Sequence, residues 1–221
     1  MRGDLGVSAS VLSAIINAVN DGSSLKNVTL AVTGASGAIY ATEMLRALVA
    51  DERVAKVNLV VSDNALRVFA TELQLAGRNN LVERLLGVAS AKVTLHAEAD
   101  IGASIASGSY PCSGMVVLPC SMGTLASIAN GLASNLIHRA ADVMLKERRP
   151  LILCVRETPF NRIHLRNLTL AAEAGATIFP VIPTLYNLPQ SVEEMARQFV
   201  CRVLAHLGLP QAGAYQWQAE D

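Results

Sequence analysis

Aromatic side chains are scarce in this chain: one Trp, four Tyr and four Phe among 221 residues. The apolar share still reaches 52%, supplied mainly by Ala, Val, Leu and Ile. Charge is thin too, with 18 Lys and Arg balanced by 18 Asp and Glu. A net charge of zero leaves no basic footprint, so no nucleic-acid partner is expected. No apolar run approaches the ~20 residues that a membrane-crossing helix needs, so no membrane span is expected. High apolarity without a span points to elements buried on several sides. A parallel sheet covered on both faces would do this, and so would a large self-association surface.

Cysteine and histidine are few and scattered. Cys112, Cys120, Cys154 and Cys201 form no CxxC, and Cys120 and Cys154 lie in or beside apolar runs. They read as small buried hydrophobes in a reducing compartment, which suggests the cytoplasm. His96, His138, His164 and His206 have no ligand spacing with one another or with cysteine, so no metal site is expected. The amino end stands apart. Residues 1–26 read as an appendage, with an amphipathic helix over 8–19 and a turn-rich stretch at 20–24. Asp4 and Asn17 make it a poor signal peptide. The main domain is expected over 27–209 and a tail over 210–221.

Strand and helix patterns alternate through that domain. Strands are predicted at 28–32, 57–61, 92–95, 114–118, 151–155 and 177–181. Helices are predicted at 38–49, 64–75, 79–87, 123–133, 139–148, 162–174 and 192–207, and 103–112 is small-residue loop. This order predicts an α/β fold, a single-domain, Rossmann-like (flavodoxin-like) doubly wound parallel sheet.

Such sheets bind ligands at the carboxyl ends of their strands, and three segments there carry chemistry. Val32-Thr-Gly-Ala-Ser-Gly-Ala38 joins the first strand to its helix. Gly34 and Gly37 allow a tight turn and a close approach to a ligand, and the helix start behind them offers free N–H groups to an anion. It is not GxGxxG, so a dinucleotide is not implied. Leu118-Pro-Cys-Ser-Met-Gly-Thr-Leu125 repeats the arrangement after another strand, where Ser121 is also an ordinary N-cap candidate. With Ser62 at the end of the second strand, the two turns suggest a mononucleotide pocket. The third segment is Leu136 to Phe160. Arg139, Lys146, Arg148, Arg149 and Arg156 fall within eighteen positions around the apolar run 151–155. Cations at the ends of a core strand suggest an anion to be held, and Glu157 beside Arg156 suggests a proton to be moved. The alternative for the earlier cations is a solvated helix face. Glu72 reads as a surface carboxylate on an apolar helix, Tyr186 as a loop residue, and Arg202 as a snorkelling or ion-paired side chain.

Taken together, these segments resemble the UbiX-type flavin prenyltransferases, within the flavoprotein superfamily of cysteine decarboxylases. The likeness runs from about Asn27 to Leu209. It rests on TGASGAIY (33–40), SGSYPCSGMVVLPCSMGTL (107–125), NLIHRAADVMLKERRPLILCVRETPF (135–160) and PTLYNLPQS (183–191). The resemblance implies metal-independent transfer of a dimethylallyl group from dimethylallyl phosphate to reduced FMN. The prenylated FMN produced would serve a partner UbiD-type decarboxylase. It further implies that Gly34, Ala35, Ser36, Ser62, Ser121, Met122, Gly123, Thr124, Arg139 and Arg156 bind FMN. Lys146, Arg156, Glu157, Tyr186 and Arg202 would surround the phosphate. Ser36, Glu72, Lys146 and Glu157 would be catalytic. A homo-oligomer, a dodecamer built from trimers, is expected with its sites at subunit junctions. Related FMN-dependent cysteine decarboxylases are the alternative; they use a His base, and His96 lies in the right region but in different surroundings. A flavin-storing protein without turnover is a third reading, which altered phosphate-site residues would have favoured.

Overall fold

The computed structural model describes residues 25–216. The helix expected over 8–19 lies outside the described residues, with nearly all of the appendage and the end of the tail. Six strands form one sheet: β1 (Lys26–Val32), β2 (Val54–Val61), β3 (Val93–His96), β4 (Gly114–Cys120), β5 (Leu151–Val155) and β6 (Thr177–Ile178). All neighbours pair in parallel, in the order β3-β2-β1-β4-β5-β6. Seven helices make the crossovers and the final layer: α1 (Ala38–Ala50), α2 (Asp63–Leu73), α3 (Leu81–Leu86), α4 (Met122–Ala129), α5 (Leu136–Lys146), α6 (Arg162–Glu173) and α7 (Val192–His206). No helix among the described residues is long and apolar enough to cross a membrane.

The central strands read as unbroken apolar runs because both of their faces are covered. Alternate residues of β1 serve different cores. Leu30 and Val32 pack with Leu45, Leu59 and Phe199 under α1 and α7. Ala31 packs with Val117, Leu125 and Ile137 under α4 and α5. The same alternation separates the two buried strand cysteines. Cys154 faces the first core and Cys120 the second, so neighbouring strands bring their backbones together but not their sulfurs. Burial pushes the Cys120 thiol up to about 12, and both behave as small apolar side chains.

Element edges differ from expectation where caps and prolines act. α5 starts at Leu136, three residues before the charge pattern suggests, because the Asn135 side chain accepts the His138 N–H at 2.9 Å. α4 ends at Ala129, with Gly131 in the left-handed region at φ 68°. The last strand is only Thr177–Ile178, since Pro180 has no N–H to continue a ladder. Phe179 and Val181 nevertheless donate to Leu153 and Val155 at 2.9 Å, so the chain runs on beside β5. The order of strands reverses between β1 and β4, and the crevice this leaves at their carboxyl ends is where a doubly wound sheet holds ligands.

Candidate functional site

Four strand ends meet at this crevice. Ser62 N donates to Val32 O at 3.0 Å, which joins β2 to β1. Thr33 joins β1 to β4: its N–H and its hydroxyl both donate to Pro119 O, at 3.2 and 2.8 Å. Ser121 N returns a bond to Thr33 Oγ1 at 2.8 Å. Arg156 N donates to Cys120 O at 3.2 Å and brings in the end of β5. Gly34, Ala35, Ser36, Ser62, Ser121–Thr124, Arg156 and Glu157 therefore share one rim.

The helix starts on this rim are capped differently. Ser62 caps α2, accepting Ala65 N at 3.1 Å. Ser121 caps α4, accepting Thr124 N at 3.3 Å and donating to Thr124 Oγ1 at 3.1 Å. At α1 the cap residue is Gly37, at φ 126°, a conformation that favours glycine and leaves no capping side chain. Glu72 reaches across from α2 instead. Its carboxylate accepts Gly37 N at 3.2 and 3.0 Å and Ala38 N at 2.7 Å. Partial burial alone would raise this carboxyl. The Ser36 hydroxyl, the two backbone N–H groups and the Arg156 charge outweigh it and hold Glu72 below its usual range. Glu72 is thus the anion that answers the positive end of α1.

The two turns use glycine for different reasons. A side chain at Gly34 would meet Asn64 Cβ at 2.5 Å, so this glycine lets the turn pack on α2. A side chain at Gly123 would meet nothing within 4 Å and would project into open space. Free N–H groups at the start of α4, serine hydroxyls and an open glycine beside Arg156 form a donor set that suits an anionic, planar, hydroxyl-bearing ligand such as FMN.

The other predicted residues are held by their own elements. Lys146 closes α5 and pairs with Glu147, before β5 begins. Some 16 Å of strand separates that end of the sheet from Arg156. Arg139, on α5, donates to Ala106 O at 3.1 Å and to Asp142 at 2.6 Å. It fastens the 103–112 loop, as does Arg149 through Tyr110 O and Gly108 O at 2.7 and 2.8 Å. Tyr186 and Arg202 line a groove of about 1100 Å³ beyond the sheet edge, with Phe179, Ile182, Leu185 and His206. The Arg202 guanidinium stands over the Phe179 ring, 5.7 Å from its centroid. Glu157 is on the rim, and its carboxylate accepts the Thr158 N–H at 2.9 Å. His96 Nε2 bonds Asn58 Oδ1 at 3.1 Å, and burial first, then Lys56, holds its pKa down.

Sequence reasoning passed over three residues that build this site: Thr33, Asn64 and Phe179. Thr33 opens the TGASG segment, and that position was the available signal. The other two are visible only through their contacts.

Residues 16–198 match the family model described as flavoprotein. The flavin prenyltransferase UbiX of Synechocystis sp. is 44% identical over 196 residues, covering 86% of this chain and 94% of that protein. A crystal structure of AnUbiX (PadA1) in complex with FMN and dimethylallyl pyrophosphate superposes with a TM-score of 0.79 at 37% identity. It covers 90% of this chain and 100% of that one. A dodecameric FMN-dependent UbiX-like decarboxylase from Escherichia coli O157:H7 superposes at 0.78 with 38% identity, over 87% of this chain and 100% of that one.

Proposed function

We propose a function from one premise: this chain belongs to the UbiX-type flavin prenyltransferases. It transfers a dimethylallyl group from dimethylallyl phosphate to reduced FMN and releases prenylated FMN and phosphate. The observation that carries this reading is the rim, where two anion-compatible turns, Ser62, Arg156 and Glu157 are laced together at one sheet end.

Reduced flavin supplies the nucleophile, and the prenyl ester supplies the alkyl group and a phosphate that must leave. The residues suited to hold FMN are Gly34, Ala35, Ser36, Ser62, Ser121 to Thr124 and Arg156. Gly123 leaves the space that a side chain would fill. Glu72 remains ionised and is a weak base, so its chief work is to accept a hydrogen bond from the Ser36 hydroxyl and orient that hydroxyl, leaving the Ser36 oxygen as an acceptor toward the ligand. Arg156 contributes fixed positive charge beside both. Glu157 is the proton carrier for the leaving phosphate.

Lys146, Arg139, Tyr186 and Arg202 complete the phosphate and flavin contacts from a second copy of the chain. The position of Lys146 at the opposite end of the sheet supports this for Lys146, and the dodecameric relative supports an assembly of copies. We propose the same assembly here, with 27–209 as the catalytic domain and a UbiD-type decarboxylase as recipient of the product. The cytoplasm, where reduced flavin and the four unpaired cysteines persist, is the proposed location.

The test is anaerobic incubation of the chain with reduced FMN and dimethylallyl phosphate, followed by mass spectrometry of the flavin. A flavin heavier by one dimethylallyl group is expected. Unchanged flavin, with CO₂ released from a cysteine substrate instead, would overturn the proposal in favour of direct decarboxylation.

A further inference from the structure

The regular pairing of β1 with β4 stops at Ala31 and Val117. Two residues later β4 carries Pro119, which has no N–H, so the backbone ladder cannot be resumed at that residue. Beyond it lie the groups that face the crevice: Ser121, Gly123 and Thr124 on one turn, Gly34 to Ser36 on the other. One backbone bond still joins the strands there, Thr33 N to Pro119 O at 3.2 Å, but the Ser121 N–H beyond it has no backbone acceptor on β1.

Thr33 fills that gap. It is 2% exposed. Its hydroxyl donates to Pro119 O at 2.8 Å and accepts Ser121 N at 2.8 Å, and thus stands in for the missing ladder rung. Both lone-pair and proton capacity of the hydroxyl are used in fixed directions, which valine, of the same shape, cannot reproduce. Cys120, between the two bonded residues, accepts Arg156 N at 3.2 Å. The Thr33 hydroxyl thereby reaches the placement of Arg156 as well as of both turns. It touches no open space and is not suited to contact a ligand.

We propose that Thr33 is a positioning residue, whose side-chain hydroxyl sets the spacing of the two ligand-facing turns and, through Cys120, of Arg156. The proposal rests on the reading of this rim as the flavin site. Thr29 provides an internal control. It lies in β1, four residues and two pleat repeats earlier, and is 0% exposed. Its hydroxyl bonds Cys112 Sγ at 3.3 Å, away from the rim.

The experiment compares Thr33→Val, Thr33→Ser and Thr29→Val in the full chain, by FMN fluorescence titration and thermal unfolding. Removing one partner from a buried hydrogen-bonded pair typically weakens the dependent interaction about tenfold or more. T33V is expected to bind FMN about tenfold more weakly. T33S should restore affinity to near wild type, and T29V should lower the melting temperature without a comparable loss of affinity. In turnover, T33V should lower kcat as well as raise KM, because Arg156 is displaced along with the turns. Where valine does not fold at position 33, Thr33→Ala read against Thr29→Ala makes the same comparison. Equal affinity losses in the 33 and 29 variants, or T33V binding like wild type, would overturn the proposal. A wild-type chain with no affinity for FMN would overturn the functional reading, and this inference with it.

Discussion

The two halves of the proposed chemistry are built in contrasting ways. The flavin half is made mostly within one chain: its turns are laced by hydrogen bonds of 2.8 to 3.2 Å across four strand ends. The phosphate half is dispersed. Arg156 and Glu157 are on the rim, Lys146 is at the other end of the sheet, and Tyr186 and Arg202 line the groove past β6. In the proposed assembly one chain supplies most of the flavin contacts, and the leaving phosphate draws on residues of a second copy. On that proposal turnover depends on assembly, while cofactor affinity is largely a property of the fold.

The widest separation of the two halves is expected from Glu157→Gln and Lys146→Ala. Each should retain FMN, measured by fluorescence titration, while prenyl-FMN formation by mass spectrometry falls by ~10²–10⁴-fold. Mixing Ser36→Ala with Lys146→Ala subunits, after dissociation and reassembly, should recover part of the lost turnover. Recovery is expected because some mixed sites inherit both intact residues. Mixtures as inactive as their parents would mean that the halves are not shared between copies.

The two turn glycines offer a stability contrast. Gly34→Ala drives a methyl into Asn64 Cβ, an atom that cannot swing away, and overpacking of this kind costs about 1–3 kcal/mol. Its melting temperature should fall clearly. Gly123→Ala adds its methyl to open space near the start of α4 and replaces glycine inside a helix. It should be as stable as wild type or more so, by up to about 1 kcal/mol, yet bind FMN more weakly. If both variants lose stability and keep affinity, the open face at Gly123 is not a ligand surface.

The smallest effect is expected at Glu72. Its folded-state pKa lies below the ordinary 4.5, so the ionised carboxylate stabilises the fold at neutral pH. That contribution is fully present above the unfolded pKa and is lost as pH falls through the folded one. Because the group is largely exposed, the contribution is of helix-terminus size, about 0.3–1 kcal/mol, and is reduced by salt. Glu72→Gln should lower stability by that amount at pH 7. In denaturant titrations the difference from wild type should shrink below pH 4.5 and vanish under the folded pKa.

Much of the framework was legible in the residues. Val28 to Val32 and Leu151 to Val155 are doubly buried, and such strands show as unbroken apolar runs whatever their neighbours are. Their alternation with amphipathic stretches such as Ala38, Ala41, Leu45 and Leu48 left few topologies open. Boundaries were less legible. The Asn135 cap outweighed the charge pattern of α5, and Pro180 shortened β6. At the rim, Ser36, Ser121 and Arg156 could be picked out because a strand-to-helix turn exposes its residues at a known end of the sheet.

The sequence alone determined the local chemistry: which turns present N–H groups and hydroxyls, which strands are buried, and which charges stand at strand ends. Only the tertiary structure decided which of those groups are neighbours. Lys146 and Arg156 are ten positions apart and look like one cluster, yet a helix end, a turn and a whole strand put them at opposite ends of the sheet. Glu72 and Gly37 are thirty-five positions apart and are bonded. Thr33 and Ser121, eighty-eight apart, join the two turns. Hydrogen bonds and charges act over a few ångströms of space, and a parallel crossover carries the chain the length of the sheet between adjacent strands, so proximity along the chain is a poor guide to proximity at the site.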